Sequence, residues 1–140
     1  MSVEENKDKI RRFVEEFWNK GNLESLNEHQ AASYVHHDPG SPEITDREGF
    51  KQFAIMTRTG FPDFNVTIED IIAEGDKVVT RWSVRGTHKG ALGEIPPTGK
   101  EVTMTGITID RIADGKVVEG WFHSDDLGFW QQLGVIPPMD

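Results

Sequence analysis

The hydrophobic period of this chain changes once, near Phe64, and that change limits the folds open to it. Before it, apolar residues recur at helical spacing. Ile10, Phe13, Val14, Phe17 and Trp18 fall at i, i+3, i+4, i+7 and i+8, a single stripe on one helix that Gly21-Asn22 ends. Asn22 is placed to cap a short second helix holding Leu23 and Leu26. The segment "YVHHDPGSPEI" reads as a short extended stretch and a loop. Thr45-Asp46-Arg47-Glu48 then has the form of a capping box, and behind it Phe50, Phe53, Ala54 and Thr57 share a helical face up to Gly60 and Pro62. From Phe64 the period is two, which predicts strands over 64–73, 77–90, 100–112 and 116–124. A last helix over 126–133 stops at Gly134, with Pro137-Pro138 beyond. Helices first, an antiparallel meander next and one closing helix make an α+β order. A curved sheet with helices on its concave face leaves a pocket between the layers, the usual place for a small ligand.

Composition narrows the partners. The 140 residues fit one domain, 1–140, with a single core. Lys and Arg number 15 against 24 Asp and Glu, a formal net charge of −9 with no basic run, which argues against nucleic acid or an anionic membrane. With no cysteine, disulfides, thiolate metal sites and a Cys nucleophile are excluded. The start "MSVEENKDKIRRF" is charged and lacks an apolar leader core, and no run approaches a membrane span, so a cytoplasmic location is expected.

The turns decide which side chains share the pocket. Gly115 suits a left-handed position, so Ala113-Asp114-Gly115 is read as a type I turn with a glycine bulge. Ile112 then opposes Lys116, Trp121 faces Ile107, His123 faces Thr105 and Asp125 faces Thr103. A two-residue turn shifts everything by one and reverses the face. In the 77–90 strand, Trp82 and His88 share one face, while Lys77, Arg81 and Arg85 share the solvated one. The expected cavity is lined by Trp82, His88, Ile107, Trp121, His123 and Asp125. His36 or His37 stands at its rim, and His36 is preferred. Such aromatic walls suit a flat, moderately apolar organic ligand.

Asp125 is the expected acid/base, and its competing role is a cap on the helix that follows. Asp126 is expected to complement the helix dipole. His123 is the expected hydrogen-bonding partner in catalysis. The histidines have no H-x-H or H-x-x-x-H spacing, so no metal site is expected. The "PPTGK" segment lacks phosphate-loop spacing and joins two strands, so it is not read as one.

The stretch "GTHKGALGEIPPTGKEV", together with "AEGDKVVTRW", "DRIADGKVVEGW", "DDLGFWQQLGVIPP" and the "HDP" after Tyr34, resembles the SnoaL-like polyketide cyclase (ester cyclase) family of the nuclear transport factor 2-like superfamily. The likeness spans nearly the whole chain. It implies a cone-shaped α+β barrel, a curved mixed sheet wrapped around a long N-terminal helix. It also implies a homodimer or larger homo-oligomer packed through the sheet. The implied chemistry is a cofactor-free intramolecular aldol closure by an Asp four residues after the family's Trp, which points from Trp121 to Asp125. Isomerase, dehydratase or hydrolase chemistry on a smaller substrate remains open on the same pocket, as does binding of a small molecule without turnover.

Overall fold

The computed structural model describes residues 2–137; Pro138 lies outside them. Helix α1 (Val3–Phe13) opens with a full capping box, in which Ser2 and Glu5 bond each other's backbone. The apolar stripe continues past Phe13, but the helix widens into a π-helical stretch over Val14–Asn19. A 3₁₀ turn (Leu23–Ser25), a short helix α2 (Leu26–His29) and strand β1 (Gln30–His37) follow. Asn22 makes no side-chain cap. Helix α3 (Arg47–Gly60) starts one residue later than its sequence signature suggests. Asp46, not Thr45, is the N-cap, and its carboxylate accepts from Gly49 N–H. The meander is β2 (Asn65–Glu74), β3 (Lys77–Thr87), β4 (Glu101–Ala113) and β5 (Lys116–Ser124), closed by α4 (Asp126–Leu133).

The sheet order is β1-β5-β4-β3-β2, with β1 parallel to β5 and the other pairs antiparallel. This is a mixed, open α+β sheet with α1 and α3 on its concave side, the cone architecture. No helix of the described residues is long and apolar enough to cross a membrane.

Two features of pairing differ from the sequence reading. The β4–β5 turn has two residues, Asp114 and Gly115, both at positive φ (51° and 76°), so Ala113 opposes Lys116. The extra residue sits inside the strand instead: Ile112 pairs with Val117 and Arg111 with Glu119, which leaves Val118 as a bulge. Without that bulge, the two-residue turn would set Trp121 opposite Thr108, on the inner face. With it, Gly120, Phe122 and Ser124 oppose Asp110, Thr108 and Gly106. The second correction concerns Ile107. β3 and β4 pair even with even, so Ile107 lies opposite Arg81 on the solvated face and is 47% exposed.

The core is aromatic. Phe17 stacks on Phe13 and Phe50, Trp18 meets Phe50 edge-on, and Phe122 reaches Phe50 from the sheet. Asn19 binds the start of β2 through both ends of its amide, to Val66 N–H (2.7 Å) and Val66 C=O (3.0 Å). Arg58 donates to the carbonyls of Trp18 and Asn19, groups the widened helix end leaves free. Phe50 is fully buried at the hub of this cluster. Phe50→Ala is expected to cost about 3–5 kcal/mol in denaturant unfolding, the usual penalty for emptying a large aromatic site.

Candidate functional site

A cavity of about 360 Å³ lies between the concave sheet and helices α1, α3 and α4. Its walls are mostly apolar and rich in aromatic rings, with Phe53, Phe61, Phe64, Trp82, Phe129 and Trp130 among them. Strand alternation brings a short row of polar side chains to its floor. β1 contributes Tyr34, with His36 behind it; β3 contributes Thr80; β4 contributes Thr108 and Asp110; β5 contributes Ser124, with Asp126 following at the start of α4.

Tyr34 and His36, two apart on β1, are both buried, and Tyr34 Oη lies 2.7 Å from His36 Nδ1. The His36 ring packs on Phe122 and Phe50, and its Nε2 stands 4.0 Å from Asp38 Oδ2. The neighbouring histidine turns the other way: His37 stacks on Trp121 across the outer face and bonds Glu119. The paired Gly120 lets the Tyr34 hydroxyl lie against the strand where a side chain would otherwise stand. A Cβ there would sit 2.5 Å from Tyr34 Oη and 3.2 Å from Asp110 Oδ1.

Asp110 is the buried carboxyl of the site. Burial pushes its pKa up from 3.8 to about 7. Burial, then the Asp110 charge, push the Tyr34 hydroxyl well above its ordinary value, so Tyr34 keeps its proton. Thr108 Oγ1 accepts from Trp82 Nε1–H at 2.9 Å, while Thr80 Oγ1 is buried without a hydrogen-bond partner among the described residues. Asp126 is held at the cavity edge by Ser124 Oγ–H, which donates to its Oδ1 at 2.8 Å.

Of the residues expected at the site, Trp82 lines the cavity. The four odd-numbered ones do not. Trp121 and His123 follow the Val118 bulge onto the outer face, where Trp121 meets His37 and His123 pairs with Ile107. Asp125 is exposed and accepts from Gly128 N–H at 3.0 Å, capping α4. Asp126, expected to serve only the helix dipole, is the carboxylate that turns in. His88 is fully buried but behind the wall, stacked on Phe61. Its Nδ1 accepts from Thr98 N–H, which ties down the "PPTGK" connection. Asp110, Tyr34 and Thr80 were missed. The signal for Asp110 was present: it is the lone acid on the β4 face that carries Val102, Met104 and Ile112. Among the described residues no three His, Asp or Glu side chains gather as a metal site.

The chain and its fold are similar to those of known proteins. The family model for SnoaL-like polyketide cyclase matches residues 8–133. Aklanonic acid methyl ester cyclase DnrD of Streptomyces peucetius is 30% identical over 133 residues, covering 91% of this chain and 89% of that protein. Among solved structures, IdmH from Streptomyces antibioticus is 40% identical with a TM-score of 0.81, covering 91% of this chain and 97% of its own. A protein from Acidithiobacillus ferrooxidans assigned as a polyketide cyclase is 34% identical with a TM-score of 0.84, covering 96% and 98%.

The Asp110 pKa has a consequence for stability. The folded state holds a proton on Asp110 that the unfolded chain releases near 3.8, so this group stabilises the fold below about pH 4 relative to neutral pH, and that contribution is lost as pH rises toward about 7. Asp110→Asn is expected to remove this decline, read as a flatter dependence of unfolding free energy on pH between those limits. Asp125→Ala is expected to cost about 1 kcal/mol through loss of the α4 cap, measured by the same unfolding curves.

Proposed function

Because this chain belongs to the SnoaL-like polyketide cyclase family, we propose that its cavity closes a ring in a carbonyl compound of polyketide type, with Asp110 as the acid/base. One observation carries the reading: a buried carboxyl, raised to about 7, stands in an aromatic cavity of about 360 Å³. Near neutral pH such a group is populated in both protonation states, the condition a general base needs in order to return the proton later. The carboxylate of Asp110 removes a proton from the carbon beside one carbonyl. The enolate carbon forms the new C–C bond to a second carbonyl carbon. The oxygen of that second carbonyl, now an alkoxide, takes the proton back from Asp110. Atoms and electrons balance within the substrate and one carboxyl group. The aromatic walls hold the chain near its cyclised shape, which lowers the entropic part of the barrier. They also exclude water, which strengthens hydrogen bonds to the developing charge. The similarity to DnrD of Streptomyces peucetius, an aklanonic acid methyl ester cyclase, favours this reaction class over the other chemistries open to such a pocket.

We also propose that the outer sheet face pairs two copies of the chain. Ile72 is 64% exposed there, and Ile107 and the Trp121–His37 stack share that side of the sheet. Light scattering at micromolar concentration is expected to give a dimer or larger species, and a monomer would overturn this surface assignment.

The reaction is tested on aklanonic acid methyl ester and related polyketide methyl esters. Asp110→Asn is expected to lower kcat about 100- to 10,000-fold, while Asp125→Asn leaves it within about twofold. In the wild type, kcat/KM is expected to rise with pH as the Asp110 carboxyl ionises near 7 and to level off above it. Full turnover by Asp110→Asn on a confirmed substrate would assign the proton transfer elsewhere.

A further inference from the structure

Among the described residues, every other aromatic side chain of the cavity wall packs against a second aromatic ring, and Trp82 packs against none. It is half-buried and stands outside both hydrophobic clusters that flank the cavity. Its ring is nonetheless fixed, by two contacts on β4. Nε1–H donates to Thr108 Oγ1 at 2.9 Å. Cζ2 and Cη2 occupy the place of a side chain at Gly106, where a Cβ would overlap both atoms. Trp82 springs from β3 directly opposite Gly106, and Gly106 and Thr108 lie two apart on the same face of β4. A ring attached over β3 and anchored at two points along β4 lies parallel to the sheet. One face rests on the strand, and the other looks into the cavity.

We propose that Trp82 is the platform on which a planar aromatic ring of the substrate stacks. With its N–H committed to Thr108, the indole offers the cavity a π face and no donor. An offset aromatic ring gains from that face beyond the area it buries, whereas a saturated ring of the same size is puckered and gains the area alone. The anchored indole has little rotamer freedom left to lose when a ligand lands on it. Asp110 follows Thr108 by two residues on the same face of β4, about 7 Å along the strand. A ring seated on Trp82 therefore leaves a carbonyl-bearing arm of the substrate to reach the carboxyl. The substrate class is a preformed flat ring system carrying such an arm, a refinement that rests on the ring-closure reading above.

Binding of simple probes tests it without turnover, so failure of the platform and failure of the reaction are separate results. Acetophenone and cyclohexyl methyl ketone share one carbon skeleton and one carbonyl, and differ in whether the ring is flat. Ligand-detected NMR titrations on the wild type are expected to rank acetophenone about threefold or more above the cyclohexyl ketone. Intermolecular NOEs are expected from the acetophenone ring protons to the Trp82 indole. Trp82→Leu keeps an apolar wall and removes the π face. It is expected to lower acetophenone affinity about threefold and to leave the cyclohexyl ketone within about twofold, so that the preference disappears. Circular dichroism establishes that the variant folds; if it does not, the wild-type ranking and the NOEs decide alone. Equal or reversed ranking on the wild type, binding of neither ketone, no NOE to Trp82, or an unchanged preference in folded Trp82→Leu would each overturn the platform.

Discussion

The Val118 bulge is the constraint on which the cavity depends. The Asp114-Gly115 turn is tight because both residues accept positive φ, which fixes Ala113 against Lys116. Carried along the strand without interruption, that register would turn Glu119, Trp121 and His123 toward the helices. It would bury a carboxylate that instead accepts from Arg111 and bonds His37 at the surface. One unpaired residue exchanges the faces. It delivers Gly120, Phe122 and Ser124 to the inside, the first to make room for the Tyr34 hydroxyl, the second to pack on Phe50 and His36, the third to hold Asp126.

Two kinds of order surround that strand. At one end the aromatic cluster of Phe13, Phe17, Phe50 and Trp18 locks the first helix and α3 to the sheet. The π-helical stretch is part of this lock, because it ends where Asn19 engages Val66 and Arg58 reaches the freed carbonyls. At the other end a smaller cluster of Phe61, Val102 and Leu133 joins the β3–β4 connection to α4. His88 belongs to this second frame: it stacks behind Phe61 and holds Thr98, so its influence on the cavity passes through the wall. The cavity lies between two packed regions and keeps its volume because both flanks are pinned.

The chemistry follows from the same placement. A carboxyl on the inner face of a central strand loses water on every side, and its proton affinity rises. A carboxyl at a helix start, like that of Asp125, finds backbone N–H groups and remains at the surface. The two acids at 125 and 126 are adjacent in sequence and opposite in environment, because α4 begins between them.

The sequence by itself determined the element order, the change of period near Phe64, the inner face of β3 with Trp82, and the family whose motifs surround "PPTGK". These are properties of local periodicity and of a nearly contiguous pattern, and each element carries its own signal. Which face of β5 looks inward was decided only by the tertiary structure. Strand parity is lost whenever one residue is inserted, and the residue that bulged, Val118, has the same apolar, β-branched character as its neighbour Val117. Nothing local distinguishes them; the choice is made by what each face must meet across the sheet. Odd-numbered residues of β4 and β5 do oppose one another, as the sequence suggests, but Ile107 pairs with Arg81 and not on the side of Trp82, so Trp121, His123 and Asp125 go with it to the outer side. Asp110, legible as a lone acid on an apolar face, gained its meaning only when Tyr34 came to stand beside it.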